Sequence, residues 1–394
     1  MTLIDEAKRL SPWLTELRRD LHRHPELSLQ EFRTSEKVCT ILSELNIPYE
    51  TGFAKTGVIA TLDGSKPGPC VALRADMDAL PLQECPGRSY GSENPGVMHA
   101  CGHDAHTAIL LGAARLLRER QKDIKGKIVL LFQPAEESIG GARIMVEEGI
   151  IEKFGIQAVF GLHVHGDIPC GYMGINRDRV CASVDNFRGV IKGNKAHGAY
   201  PHQGNDAVVA AGQIVVQLQT VVSRQVDPLE GAVLTTGSIH GGTAPNIIAD
   251  EVVIEGTLRT HSPENRELLI KRVREIISGT AATMNCKAEV EIIKGTPSLT
   301  NDPELALMAK AVSAEVLGEE KALLLETPTM GGEDFAYYLE KVKGAFYRLG
   351  SGNEEKGIIS PAHSSEFDID ENCLPIGAAL QTAIALRWLE ENNK

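Results

Sequence analysis

Hydrophobic residues recur at helical spacing from Trp13 to Leu21, and a second amphipathic stretch runs from about Glu31 to Leu45 before Pro48 ends it. Two opening helices are expected. The period then changes. The runs TGVIATL (56–62) and CVALRAD (70–76) are almost continuously apolar, as strands buried on both faces are. A helix over Thr107–Arg120, a strand KIVLLFQ (127–133), a helix over Gly141–Glu148 and a strand QAVFGLH (157–163) continue the alternation. This order predicts an α/β fold with a mostly parallel sheet and helices on both faces, whose ligands bind beyond the carboxyl ends of the strands.

From about residue 184 the pattern is different: a strand NFRGVIKG (186–193), a helix over 205–223, strands AVLTTGSIH (232–240) and EVVIEGTLRT (251–260), a helix over 263–284 and a strand CKAEVEII (286–293). That β-α-β-β-α-β succession is a split βαβ, ferredoxin-like unit. It predicts a smaller domain over 184–296, inserted into a first domain built from 1–183 and 297–394. A strand GAFYRLG (344–350) and a last helix from about Pro375 to Glu390 complete the first domain.

A length of 394 residues agrees with two domains, each able to bury a core. The formal net charge of −13 argues against nucleic acid and anionic membrane as partners, since both need a basic surface. Small-molecule chemistry is the remaining expectation. The opening MTLIDEAKRLSPWL is not a secretory signal, and no eighteen apolar residues run together, so a cytoplasmic protein is expected. Eight cysteines are scattered without a C-x-x-C pair, as reduced thiols are. Seven read as small core residues; Cys101 alone lies among potential metal ligands.

The segment HACGHDAH (99–106) holds three of the twelve histidines. Cys101 and His103 are two apart, so a turn can aim both at one point, and thiolate and imidazole suit a borderline-soft dication. The same octapeptide also reads as a turn capping the helix at Thr107, with Asp104 as N-cap. FQPAEES (132–138) places Glu136 and Glu137 side by side just past an apolar strand that Pro134 ends. Adjacent side chains diverge, so one carboxylate can bind metal while the other serves as a base; a solvated acidic loop is the alternative. GLHVHG (161–166) sets His163 and His165 on the same side of a strand, and SPAHSSEF (360–367) carries His363 in a polar loop. Each signal alone has an ordinary explanation; what favours chemistry is their joint placement where strands end.

Together with LHRHPELSLQE (21–31), RADMDALP (74–81), MHACGHDAH (98–106), QPAEE (133–137), GLHV (161–164), AHGAYPHQGNDAV (196–208), GGTAPNIIAD (241–250) and GGEDFAYY (331–338), these segments resemble the N-acyl-L-amino-acid amidohydrolase family. Aminoacylases, hippurate hydrolases and auxin-conjugate hydrolases belong to it, within the two-metal aminoacylase–carboxypeptidase superfamily. The resemblance implies two divalent metal ions per subunit, zinc, manganese, cobalt or nickel, held by Cys101, His103, Glu137, His163 and His363, with Glu136 as the general acid–base. It implies metal-dependent hydrolysis of N-acyl-L-amino acids to a carboxylate and a free amino acid, and an inserted domain that acts as a lid and mediates assembly into a homodimer or higher homo-oligomer. His197 is similar to a family histidine that reaches a substrate oxygen, with His202 a weaker candidate; Asn246 is similarly placed, and Arg259 matches a position that binds the substrate carboxylate. Where many superfamily members carry His-x-Asp, this chain has Asp76-Met77-Asp78, which leaves Asp78 as a supporting acid and the role of Asp76 open.

Two other readings stand beside this one: a dipeptidase or carboxypeptidase using the same centre, and a metal-binding protein without catalysis. Glu136 counts against the latter, since storage needs no spare carboxylate. The sequence has no G-x-x-x-x-G-K-[ST] loop, no strand-linked G-x-G-x-x-G and no H-E-x-x-H, and GRSYG (87–91), though of the form G-x-S-x-G, does not join an expected strand to an expected helix, which argues against nucleotide, serine-hydrolase and zincin chemistry.

Overall fold

The computed structural model describes residues 2–138 and 140–393. They fall into two compact units: Met1–Asp178 with Asn301–Thr327 and Tyr337–Lys394, and Arg179–Thr300 with Pro328–Ala336.

The first unit is built on an eight-stranded sheet. Its middle is parallel, as the apolar runs predict: Lys66–Asp76 lies between Lys125–Gln133 and Ala158–Pro169, and the latter pairs with Lys343–Gly352. The edges depart from that pattern. Tyr49–Phe53 and Gly57–Asp63 form a hairpin whose second strand pairs antiparallel with Lys125–Gln133, and on the far side Met173–Asn176 runs antiparallel to Lys343–Gly352. Helix His103–Glu119 is buried almost all round, packed between the sheet and the helices Ser11–Arg23 and Cys373–Asn392. Such burial explains why its sequence reads as a continuous apolar run rather than as a stripe.

Several boundaries shift from the expected ones. Three helices open the chain, Leu3–Arg9, Ser11–Arg23 and Phe32–Glu44, rather than two. The buried helix begins at His103 instead of Thr107. Its N-cap is Gly102 in the left-handed region (φ 88°), so Asp104 sits inside the first turn and is not the cap. The strand expected to close at His163 continues to Pro169 and outruns its neighbour, with which pairing stops at Arg74 and Gly161. Cys85 is exposed and Cys39 and Cys170 only partly buried, so these three are not the core residues expected.

The second unit contains a four-stranded antiparallel sheet ordered Ala232–Gly241, Glu251–Thr260, Ser183–Lys192, Lys287–Lys294. With helices Ala207–Gln225 and Pro263–Thr283 this is the βαββαβ order read from the sequence. Helix Ala207–Gln225 is long and apolar enough to cross a membrane by length and composition alone. Ala207, Ala210, Ala211, Ile214, Leu218 and Val221 form its buried stripe, which joins a core with sheet residues such as Phe187, Ile191 and Ile254.

Candidate active site

The first unit gathers its candidate residues where the middle strands end. Asp76 closes one strand and Gln133 the next. After Gln133 the chain turns abruptly. Pro134 has no N–H to pair, and Ala135 adopts φ 58°, a conformation unfavourable for a residue with a Cβ. The buried Glu31 carboxylate holds it there, accepting the Ala135 N–H at 2.9 Å and the Thr56 hydroxyl at 2.6 Å. Gly141 closes the turn: a Cβ there would lie 1.7 Å from the Pro134 carbonyl oxygen. Asp78 then fixes the two glutamates from below. Its Oδ1 accepts the Glu136 N–H at 2.9 Å and its Oδ2 the Glu137 N–H at 3.1 Å and the Ser28 hydroxyl at 2.7 Å.

Opposite this turn, Gly102 lets the Cys101–His103 segment approach the long strand; a Cβ there would meet Val164 Cγ2 at 2.3 Å. Cys101 Sγ lies 3.3 Å from His163 Nε2, and the His163 Nδ1–H donates to the Val164 carbonyl at 2.7 Å, which leaves Nε2 as the lone-pair nitrogen. His103 Nδ1 is 3.4 Å from Asp78 Oδ1, and its Nε2 is 3.6 Å from Asp76 Oδ2 and 3.8 Å from Glu137 Oε1. His363, at φ 64° on an exposed loop, donates its backbone N–H to Ala100 and brings Nε2 to 3.4 Å from Glu137 Oε2.

Two trios result. Cys101, His103 and His163, and Cys101, Glu137 and His363, each present donor atoms within 4.8 Å of one another, and the two share Cys101. The donor set is one that binds divalent ions, mixed sulfur, nitrogen and oxygen. Both ring nitrogens of His103 and the Oε1 of Glu137 are buried without a hydrogen-bond partner, an arrangement that is costly unless something else occupies them. Burial pushes the Cys101 thiol well up, with Glu137 adding to the effect, and pushes His163 well down. His103 behaves oppositely: burial alone would depress it, yet Asp76 and Asp78 hold it well above the ordinary histidine value.

The geometry assigns Asp76 and the third histidine of the octapeptide a supporting place. His106 Nε2 accepts the Val164 N–H at 2.9 Å, so Nδ1 carries the proton and donates to Asp76 Oδ1 at 2.5 Å. This Val164 N–H faces the side that the neighbouring strand has left. Arg74, fully buried, donates to the other Asp76 oxygen at 2.6 Å and to Gln133 Oε1 at 2.8 Å. Asp76, His103 and His106 also lie close enough to form a third metal-like trio. Both nitrogens of His106 are already engaged, however, and no lone pair remains to ligate. No local pattern of residues signals this chain of contacts, which spans residues 74 to 164.

A second buried cluster adjoins the first. Arg18, His22 and Asp104 are fully or almost fully buried; Asp104 Oδ2 accepts from Arg18 Nε at 2.8 Å and His22 Nδ1 at 2.7 Å, and His22 Nε2 reaches Glu84 Oε1 at 3.2 Å. Arg18 also pairs with Asp368 at 3.2 Å and Glu371 at 3.5 Å, close in sequence to His363. Periodicity could not show this cluster, since its partners lie up to 353 residues apart.

The remaining candidates belong to the second unit. His197, exposed, pairs in register with Ile247, and the adjacent Gly198 N–H donates to the Asn246 carbonyl at 2.8 Å, so these two lie side by side. His202 stands in the short turn Pro201–Gln203. Arg259, half-buried, is on the central strand Glu251–Thr260 between Val184 and Val233.

A mixed sheet with nitrogen, sulfur and carboxylate donors crowded at its strand ends is the framework of a metal-dependent hydrolase. Residues 72–387 match peptidase family M20/M25/M40, and the chain belongs to that family. It is an enzyme, a hydrolase of amide bonds. It is 42% identical to N-acetyl-L-cysteine deacetylase of Bacillus subtilis (strain 168), over 98% of this chain and 90% of that one. It is 39% identical to IAA-amino acid hydrolase ILR1-like 4 of Arabidopsis thaliana, over 96% and 86%. Among solved structures, the Bacillus subtilis YXEP protein, described as a dinuclear metal binding peptidase from the M20 family, superposes with a TM-score of 0.85 at 37% identity, covering 97% of this chain and 99% of that chain.

Proposed function

We propose that the protein hydrolyses N-acyl-L-amino acids to a carboxylate and a free amino acid at a dinuclear metal centre. Cys101, His103, Glu137, His163 and His363 hold the two ions, and Glu136 is the general acid–base. The observation that carries this reading is the pair of donor trios joined at Cys101, with the buried and unpartnered atoms of His103 and Glu137 among them. The names of the relatives, a deacetylase of an N-acetyl amino acid and a hydrolase of amino-acid conjugates, support the substrate class. Zinc, manganese, cobalt and nickel all suit the donors.

Such ions supply Lewis acidity to a water and to the scissile carbonyl. The protein's own groups do the rest. Glu136, next to a ligand and anchored through its N–H to Asp78, takes the proton of the attacking water and returns it to the departing nitrogen. Asp78 faces His103 as a charge at 3.4 Å, and the Val164 carbonyl fixes the His163 tautomer. Cys101, held as a thiol by burial when alone, gives up its proton on binding an ion. His197, Asn246 and Arg259 contact substrate in this reading. Val208, Val209 and Val216, exposed on helix Ala207–Gln225, support a homodimer formed through the second unit. Cysteines present as thiols and not as disulfides suit the cytoplasm.

The test is turnover of N-acetyl, N-benzoyl and longer N-acyl amino acids, with dipeptides alongside, by metal-loaded wild-type protein and Glu136→Gln. The variant is expected to keep both ions and lose about a thousandfold in kcat. Full activity after exhaustive chelation, or wild-type turnover in the variant, would refute the reading.

A further inference from the structure

We propose that Arg348, on the strand Lys343–Gly352, rather than Arg259, is the cation that receives the free carboxylate of the substrate. The inference rests on the substrate class proposed above and assigns the residue that enforces it.

Arg348 stands opposite His163 in the parallel register of the two strands, with Gly350 opposite His165. Paired residues in neighbouring strands project from the same face about 4.8 Å apart, so Arg348 flanks a proposed ligand on the ligand's own side of the sheet. Its residue surface is 8% exposed, and Nη2 is fully enclosed without a hydrogen-bond partner. Among the described residues it forms no ion pair. On its other side the register partner is Gly174, where a Cβ would meet Leu325 at 2.9 Å and Ile168 at 3.1 Å, so that flank is apolar and offers no counter-charge.

The other buried arginines of the unit are treated differently. Arg18 pairs with Asp104 at 2.8 Å and Arg74 with Asp76 at 2.6 Å. Asp167 is the acid that senses Arg348: its pKa is lowered first by a hydrogen bond from His165 and also by the Arg348 charge. That carboxylate is nevertheless committed to His165 Nδ1 at 2.9 Å and mostly exposed. A largely buried guanidinium with an enclosed, unpartnered nitrogen and no ion pair is costly, and a planar carboxylate that accepts two parallel N–H bonds is its best complement. In an N-acyl amino acid the carboxyl carbon is two bonds from the scissile nitrogen, about 2.5 Å away. A cation one strand over from a metal ligand is therefore where that carboxylate would fall.

The experiment measures binding, by calorimetry, of N-acetyl-L-methionine and its uncharged carboxamide to metal-loaded full-length Glu136→Gln protein, alone and combined with Arg348→Met, Arg348→Lys or Arg259→Met. The parent is expected to prefer the acid by about 30-fold, the size of one charge-assisted pair. Arg348→Met should abolish that preference by weakening the acid and not the amide, and Arg348→Lys should restore part of it. Metal content of each protein shows that the centre is intact. The proposal is overturned if the parent shows no preference for the acid, or if Arg348→Met keeps it; loss of the preference in Arg259→Met alone would give the role to Arg259. Failure of the wild-type enzyme to hydrolyse any N-acyl amino acid, with acid-selective binding intact, would sink the functional reading and leave the assignment of Arg348 standing.

Discussion

His103 and Asp104 are consecutive, both buried, both able to carry charge, and they face opposite fates. Asp104 is saturated by Arg18 and His22, and those cations in turn meet Glu84, Asp368 and Glu371. His103 has carboxylates on three sides at 3.4–3.8 Å and a hydrogen bond to none of them. One cluster is complete within the protein; the other is complete only with something added. Buried charge therefore reports stability in the first region and function in the second, and the difference lies in whether the donors and acceptors close on one another.

The strongest way to break the comparison is Arg18→Met. It leaves the buried Asp104 short of its guanidinium, and urea unfolding should show a loss of about 3–5 kcal/mol. A loss under 1 kcal/mol would mean that the saturated cluster is not what fixes this region. Next comes the effect of metal itself. Free ion at about a hundred times its dissociation constant should add about 3 kcal/mol to the wild type. His103→Ala should lose that gain, and it should also lower the metal-free stability, because it removes the cation that the buried Asp76 and Asp78 face. Retention of the full metal-induced gain in the variant would show that His103 is not part of what the ion completes.

A smaller effect is expected at Asp76→Asn, which weakens the Arg74–Asp76–His106 chain beneath the site. Metal affinity should fall about tenfold, as it does when supporting contacts of ligands are removed. Unchanged affinity in a metal titration would take Asp76 out of the site's support. A separate effect concerns pH. Burial would raise the Glu84 pKa, but His22, the Ser92 N–H and Arg88 bring it down to about 2 from an ordinary 4.5. A carboxyl depressed by folding stabilises the protein above its unfolded value, and that contribution fades as pH falls from 4.5 towards 2. Thermal midpoints should decline across that window, and Glu84→Gln should make the decline shallower. An identical slope in the variant would detach Glu84 from the cluster.

The two regions also differ in how far the sequence reveals them. The middle strands announce themselves because burial on both faces leaves unbroken apolar runs, and the βαββαβ order follows from spacing. The antiparallel edges do not, since direction is a property of connections and not of residue type. Cys101, His103, Glu136 and Glu137 sit in compact motifs with chemistry of their own. His106 looks like another ligand in that motif, and only the Val164 N–H, freed where one strand outruns its neighbour, shows that its nitrogens are engaged. Arg18 and Arg348 are ordinary basic residues of a helix and a strand in the sequence. What sets them apart, a full set of counter-ions for one and none for the other, exists only after folding.

The separation of Cys101 and Glu137 from His363 has a consequence for biosynthesis. The trio with His103 and His163 can form once residue 163 has left the ribosome, whereas the second trio must wait for residue 363. At ordinary elongation rates that interval is about 10–40 s. A newly made chain thus passes through a period in which its shared sulfur has one set of companions and not the other, and whichever ion is captured early meets a half-built pocket.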